Sequence, residues 1–326
     1  MTPPATMAGV DPLLTLGAIR AARRRIAPYV EVTPVIAMSP CGLRLKAESL
    51  HPIGAFKLRG AFNAILSLDE AERTAGIVAH SSGNHAQAVA YAAQRLGVRA
   101  TVVMPSDAPA IKIEGVRRAG ADLILVGPSS AERAGRAGDL AAERGLTLIE
   151  PFNQDPIMGG TGTIGLEILE QAPDVHTVFA PVSGGGLLAG LATAIKLTRP
   201  DVTVIGVEPE LASDAYESFR AGRIVAFTAD RVSRTLADGL RVQQLGSRTW
   251  PHIRTYVDDI VLVGEDAIKH AMRRVAAEAR LIAEPSGAVA VAGALAYGGA
   301  LARSVAVLSG GNVDPGVYAA IMAQND

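Results

Sequence analysis

Residues 77–105 read IVAHSSGNHAQAVAYAAQRLGVRATVVMP. An apolar run (Ile77, Val78, Ala79) breaks at Ser81-Ser82-Gly83, and a helical pattern runs from His85 to Leu96. Gly97 ends that pattern, and a second apolar run follows at 100–104. Strand, polar loop, helix and strand in this order make a βαβ unit, whose strands are parallel. The rhythm continues with apolar runs at 123–126 and 146–149 and helical patterns at 110–119 and 131–144. Pro105, Gly120 and Gly145 punctuate them. The block from 76 to 149 is read as one small doubly wound sheet domain.

The same rhythm resumes after a glycine-rich break at 159–165 (GGTGTIG). Strands are expected at 177–181, 203–207, 260–263 and 304–308, and helices at 187–197, 266–279 and 287–296, which makes a second αβ sheet. Upstream, residues 11–29 carry an amphipathic pattern. Leu13, Leu14, Leu16, Ile19 and Ile26 are apolar, while Arg20, Arg23, Arg24 and Arg25 occupy other, solvated faces. A turn at Thr33-Pro34-Val35 and a half-exposed strand at 43–48 lead into HPIGAFKLRGA, residues 51–61. No repeat or low-complexity segment interrupts the chain.

The 326 residues are 49% hydrophobic and 19% charged with a net charge of −1, more than one core usually organises, so two domains are expected. A near-neutral chain without an arginine-rich arm leaves no electrostatic footprint for nucleic acid, and 4% aromatics argues against base stacking. The single cysteine, Cys41, fits a reducing compartment, and the N-terminus shows no basic n-region before an apolar run. Two stretches without Lys, Arg, Asp or Glu, 175–195 and 285–302, raise the question of a membrane span. The first is broken by Pro181 and Gly184-Gly185-Gly186, and the second is mostly alanine and glycine, so both are read as buried elements of a cytoplasmic protein.

In open α/β sheets ligands bind beyond the carboxyl ends of the strands. Three stretches fall there. His80-Ser-Ser-Gly-Asn-His85 opens a helix with two hydroxyls, an amide and free backbone N–H groups, which suits a carboxylate and equally suits an ordinary N-cap. Pro181-Val-Ser-Gly-Gly-Gly-Leu187 again runs from strand to helix. Its glycines let backbone N–H groups converge on a phosphate, with the helix dipole behind them. It lacks the lysine of a P-loop, while Glu208 keeps a dinucleotide alternative open. The third, Leu308-Ser-Gly-Gly-Asn312, ends a strand on another Gly-Gly, and Ser309 there either caps or binds.

Lys57 stands between Gly54 and Gly60 with Phe56 and Arg59 beside it. A buried lysine loses pKa until it can act as a base or form a Schiff base; an exposed one at a helix start does neither. Glu208 and Asp214 lie six residues apart with free carbonyls between them, a spacing a hard cation accepts and a polar loop shares. Six histidines without H-E-x-x-H argue against zinc, and no G-x-S-x-G elbow supports a serine hydrolase.

Taken in order, the Lys57 stretch, S-S-G-N-H, the glycine loop, E-P-x-x-A-x-D and S-G-G-N resemble the fold-type II pyridoxal-phosphate enzymes, in particular the serine/threonine dehydratase and serine racemase group. The likeness runs from Thr33-Pro34 to Asp314. It implies two doubly wound open-sheet α/β domains, tryptophan synthase β-like, with the active site in the cleft between them. Residues 1–68 would join 153–326 in a large cofactor-binding domain, and 69–152 would form a small mobile one. It further implies that Lys57 holds pyridoxal 5'-phosphate as a Schiff base, that Phe56 packs beside the ring, and that Asn84 contacts the ring hydroxyl. Ser183, Gly184, Gly185, Gly186 and Leu187 would take the phosphate, and Ser309 the pyridine nitrogen. Ser81, Gly83, Asn84 and His85 would hold the substrate carboxylate. Ser82 matches the serine that racemases use on the face opposite the lysine. Glu208, the carbonyl of Ala212 and Asp214 match the family's site for a divalent (Mg, Mn or Ca) or monovalent cation.

A homodimer of the short, catabolic type is implied, since nothing after Asp326 remains for a regulatory domain. Ala55, Ser183 and His51 depart from the family's usual Ser or Thr, first glycine and polar amide. The expected activity is dehydration and deamination of L-threonine or L-serine to a 2-oxo acid and ammonia. Racemisation, or action on 3-hydroxyaspartate or a compatible-solute derivative, are the alternatives. A catalytically silent ligand-binding protein and a nucleotide-dependent oxidoreductase are the readings of other classes.

Overall fold

The computed structural model describes residues 12–127, 130–297 and 301–324. Among them ten strands form two sheets. β1 (Val35–Ala37), β2 (Arg44–Ala47), β7 (Thr177–Pro181), β8 (Thr203–Pro209), β9 (Asp259–Val263) and β10 (Ser304–Leu308) make a six-stranded sheet in the order β1-β2-β10-β7-β8-β9. β3 (Ile77–His80), β4 (Ala100–Pro105), β5 (Asp122–Val126) and β6 (Thr147–Ile149) make a four-stranded sheet in the order β5-β4-β3-β6. Every pairing is parallel except β1 with β2. The two-sheet α/β architecture expected from the alternation is therefore the one observed.

Both faces of the larger sheet are covered, which is why its strands read as continuous apolar runs. Side chains alternate along β7, so Val178 and Ala180 enter one core with the helices Asp155–Gln171 and Gly186–Lys196. Phe179 enters the other, against the helices Glu265–Arg274 and Pro285–Tyr297. The two uncharged stretches are thus sheet strand, loop and buried helices; residues 298–300 of the second lie outside the described ones. Among the described residues no helix is long and apolar enough to cross a membrane.

Three local expectations change. Thr33-Pro34-Val35 is not merely a turn, because Val35 opens β1, whose three residues are too few to show an alternating pattern. The opening helix is Leu16–Ile26, capped by the Thr15 hydroxyl, which accepts from Ala18 N–H; residue 11 lies outside the described residues. The largest correction concerns 159–165, which is no break but the middle of the 17-residue helix Asp155–Gln171. Each glycine costs a helix about 1 kcal/mol relative to alanine, so close packing must offset the loss. A Cβ on Gly160 would lie 2.4 Å from the Arg59 carbonyl oxygen, and one on Gly190 would lie 2.2 Å from that of Met158. The helices Lys57–Ser67, Asp155–Gln171 and Gly186–Lys196 therefore touch backbone to backbone. This contact ties the Lys57 helix to the glycine-loop helix through Asp155–Gln171, while the other side of the Lys57 helix packs against the four-stranded sheet's elements.

Candidate active site

Lys57 is the first residue of its helix, and the segment before it is stitched to the end of β10. Ala55 bridges Gly310, Phe56 N–H donates to the Ser309 carbonyl at 3.0 Å, and Gly311 N–H donates to the Gly54 carbonyl at 2.9 Å. Gly54 has φ +69°, and a Cβ there would sit 2.4 Å from Asn312 Oδ1. Asn312 Nδ2 in turn donates to the Ile53 carbonyl at 2.7 Å and to Asn84 Oδ1 at 2.8 Å. Three sequence-distant motifs, around 57, 84 and 309, are thereby joined by direct hydrogen bonds.

Lys57 Nζ donates to the Pro151 carbonyl at 2.7 Å and lies 5.2 Å from the centroid of the Phe56 ring. The residue as a whole is half-buried, and desolvation around the ammonium pulls its pKa down to about 8. A buried ionic network fixes the helix that carries it. Arg59 donates to both Glu48 oxygens, at 2.7 and 2.9 Å, and to both Glu167 oxygens, at 2.6 and 2.8 Å. Lys46 donates to Glu167 at 2.5 Å, and Thr33 and His51 complete the Glu48 shell. Burial alone would raise Glu48; the Arg59 guanidinium and His51 overcome it and hold the carboxyl well below its usual range.

The glycine loop precedes a helix that begins at Gly186 with no side-chain cap and no acid in its first turn. The Gly184 carbonyl is turned away by Thr249 Oγ1, which donates to it at 2.7 Å, and by Gly246 N–H at 3.1 Å. The rings and backbone around the loop leave no room for larger residues, since a Cβ on Gly184 would lie 2.6 Å from Phe152. Ser183 adopts φ +55°, a left-handed conformation usually left to glycine, and its hydroxyl donates to the Gly239 carbonyl at 3.3 Å. An uncapped helix start with its neighbouring carbonyl tied back suits a phosphate. The enclosed amine, the glycine cradle and the buried Ser309 together fit pyridoxal phosphate.

Ser81, Ser82 and Gly83 connect β3 to the helix Asn84–Leu96, which again begins without a side-chain cap. Gly83 N–H donates to Ser81 Oγ at 3.1 Å. Asn84 is clamped, its Nδ2 donating to Glu284 Oε1 at 2.5 Å while its Oδ1 receives Asn312. His85 turns its imidazole inward to the Ile149 carbonyl, 3.0 Å away, and burial first, then the Lys57 charge, lowers its pKa to about 3. The ring is neutral and turned inward, so it brings no positive charge to the loop.

Glu208, next to last in β8, accepts from Tyr216 N–H at 2.8 Å and Ala215 N–H at 3.3 Å, which commits its carboxylate to the helix start that follows. Asp214 begins the helix Asp214–Ala221, and both its carboxylate oxygens are buried without a hydrogen bond among the described residues. Burial, and for Glu208 also the Asp214 charge, raises both carboxyls, Asp214 to about 8. Ala212, fully buried, lies in the turn between them. No cluster of three or more His, Cys, Asp or Glu side chains that could hold a metal ion is present among the described residues.

Sequence reasoning missed Pro151 and Phe152, which close the site from the β6 side, and a cluster of Lys112, Asp238 and Glu284. Lys112 is isolated in a helical pattern and its partners lie 126 and 172 positions away, so no local signal marks them.

The family described as pyridoxal-phosphate dependent enzyme matches residues 25–310, and the chain belongs to it. It is 41% identical over 312 residues to serine racemase of Oryza sativa subsp. indica, covering 92% of this chain and 91% of that protein. It is 42% identical to L-threonine ammonia-lyase of Thermotoga maritima, covering 93% of this chain and 76% of that one. It is 39% identical to L-threo-3-hydroxyaspartate ammonia-lyase of Saccharomyces cerevisiae, covering 95% and 96%. Among solved structures, maize serine racemase superposes with a TM-score of 0.88 at 39% identity, over 95% of this chain and 97% of that one. The chain is an enzyme that depends on pyridoxal phosphate.

Proposed function

We propose that the protein is an ammonia-lyase that dehydrates and deaminates L-threonine or L-serine to a 2-oxo acid and ammonia. The observation that carries this reading is the enclosed amine of Lys57, lowered to about 8 and tied by backbone bonds to the Ser309 strand end. Bound pyridoxal phosphate supplies an aldehyde for amines and a ring that draws electron density from the substrate Cα. Ser183, Gly184, Gly185, Gly186 and Leu187 would hold its phosphate, Ser309 its pyridine nitrogen and Asn84 its ring hydroxyl, with Phe56 beside the ring. Ser81, Gly83, Asn84 and the His85 N–H hold the substrate carboxylate. Lys57, as a neutral amine, accepts the Cα proton. The β-hydroxyl leaves as water with one proton, and the resulting enamine takes up one water and releases ammonia. Ser309, a hydroxyl rather than a carboxylate, would not favour a protonated ring nitrogen, which would suit elimination.

The test is release of 2-oxo acid across a panel of β-hydroxy amino acids including 3-hydroxyaspartate, with borohydride fixing the cofactor onto Lys57. No product from threonine or serine would sink the assignment. Racemisation is the second reading, favoured by Ser82, which lies in the loop before the helix Asn84–Leu96 and matches the serine of racemases. Chiral analysis of recovered serine separates the two, and Ser82→Ala is expected to abolish racemisation while leaving most of the elimination.

We further infer a cation held by Glu208, the Ala212 carbonyl and Asp214, since both Asp214 carboxylate oxygens are buried without a hydrogen bond beside the buried Glu208 carboxyl. Divalent or monovalent cations should raise the thermal midpoint of the wild type and not that of Asp214→Asn. Strand membership supports a division into 1–68 with 153–326 and 69–152. A cytoplasmic homodimer is the expected assembly, to be checked by sedimentation.

A further inference from the structure

Lys112 sits in the helix Ala110–Arg118, which belongs with the four-stranded sheet, and is 2% exposed. Its ammonium is not paired within that sheet's own elements. Nζ donates to Asp238 Oδ2 at 2.5 Å and lies 3.5 Å from Glu284 Oε2, both on segments associated with the six-stranded sheet. Glu284 Oε1 at the same time accepts from Asn84 Nδ2. The cluster therefore crosses the cleft and touches the S-S-G-N-H loop at its first helical residue.

Two motif glycines make the crossing possible. A Cβ on Gly83 would lie 2.7 Å from Lys112 Cδ and 3.1 Å from its Nζ, so the lysine stem passes directly over this loop. A Cβ on Gly310 would lie 2.1 Å from Glu284 Oε1, so the S-G-G-N turn leaves space for that carboxylate. On its own side the lysine helix leans on the loop's helix, because Gln87 fills the space a Cβ on Gly115 would need. On the other side Asp238 and Gly239 are held by Ser286, which takes the Gly239 N–H at 2.8 Å, and Gly239 receives the Ser183 hydroxyl. One chain of contacts thus runs from the glycine loop through Asp238 and Lys112 to the Ser81–His85 loop.

We propose that Lys112 is a cross-cleft positioning residue, holding the 81–85 loop at its working distance from Lys57 through its ion pairs with Asp238 and Glu284. This rests on the reading of 81–85 as the carboxylate cradle. A buried ammonium committed to two carboxylates of the opposite sheet cannot part from them without leaving charge uncompensated, so the pair favours the closed arrangement. Lysine suits the task because its flexible stem can thread past Gly83, where a planar guanidinium would not fit.

The test uses the cofactor-loaded enzyme. Lys112→Met is expected to raise KM for the hydroxy amino acid turned over by at least about tenfold with a smaller change in kcat, and Lys112→Arg does not restore it. In the absence of substrate, amide hydrogen exchange should speed up in residues 81–84 and 110–118 and stay unchanged in the six-stranded sheet. The cofactor absorbance and its borohydride trapping at Lys57 should match wild type. Asp238→Asn, at a part-exposed position, should reproduce the KM and exchange effects, and the Lys112→Met/Asp238→Asn double variant should be no worse than Lys112→Met alone. KM within twofold of wild type with unchanged exchange in either single variant overturns the proposal, as does additivity in the double variant. Exchange needs no turnover, so it decides the role of Lys112 even where no amino acid tested gives product, an outcome that counts against the assigned substrates instead.

Discussion

Two buried ionic clusters flank the reactive lysine, and they are built to opposite rules. Around Arg59, two cations (Lys46, Arg59) meet two carboxylates (Glu48, Glu167) inside the larger sheet's own elements, with four Arg59 hydrogen bonds between 2.6 and 2.9 Å. Around Lys112, one cation meets two carboxylates across the cleft, and Glu284 Oε2 has no hydrogen bond among the described residues. The first is charge-balanced and saturated, which suits a fixed foundation under Lys57. The second carries one negative charge too many, so burial first, and Asp238 next, push Glu284 up to about 7 against the pull of Lys112. A balanced cluster has one protonation state, whereas the unbalanced one can take up a proton at Glu284 while Lys112 keeps its pair with Asp238. The contrast identifies the first as structure and the second as adjustable.

Removing the cation from each cluster should show the difference most strongly. Arg59→Met leaves Glu48 and Glu167 buried against one lysine and is expected to cost about 3–5 kcal/mol in urea unfolding. Lys112→Met should cost only about 1 kcal/mol, because Asp238 is partly solvated and Glu284 can take up a proton. Equal losses would erase the distinction.

The second prediction sharpens it through pH. A carboxyl raised from 4.5 to about 7 keeps its proton in the native state after the unfolded chain has lost it. Its contribution to stability is fully present below 4.5 and is lost as pH rises through 7. Glu284→Gln keeps the acceptor for Asn84 but not the proton. Between pH 4.5 and 7 the wild type should therefore lose up to about 3 kcal/mol more than the variant. Parallel stability curves would show that Glu284 is ionised throughout and the cluster as rigid as the first.

The same contrast explains what could be read from the chain. The sheets, and the Lys57, S-S-G-N-H, glycine and S-G-G-N stretches, each announce themselves within a dozen residues, because period and turn chemistry are local. Gly159–Gly165 misled for the same reason: glycines signal a break locally, and only the facing backbones of Arg59, Gly60 and Gly190 show why a helix keeps them. The Arg59 network was half visible, since Arg59 stands two residues from Lys57, but Glu167 lies 108 positions away from it. Lys112, Asp238 and Glu284 share no local pattern at all, and Gly83 and Gly310 looked like binding-loop glycines although they also make room for that cluster. Asp214 was legible as a carboxylate at a fixed spacing, while its lack of any hydrogen-bond partner was not.

Lys57 completes the series as a cation whose pKa owes nothing to a carboxylate: burial alone accounts for its descent from 10.5 to about 8, and its hydrogen bond goes to a backbone carbonyl. The sign is opposite to that of Glu284. Below pH 8 both folded and unfolded chains carry the charge, and the native state bears the full cost of enclosing it. Between 8 and 10.5 the native amine loses its proton first, so the cost fades as pH rises. In the cofactor-free protein, Lys57→Met should therefore be more stable than wild type at pH 7, by about 2 kcal/mol once the open side of the stem is allowed for, and the advantage should shrink towards pH 10. Urea midpoints at the two pH values measure it. A variant that is less stable at pH 7, or whose advantage does not change with pH, would mean that the amine is not desolvated, and the physical reason for a reactive Lys57 would be gone.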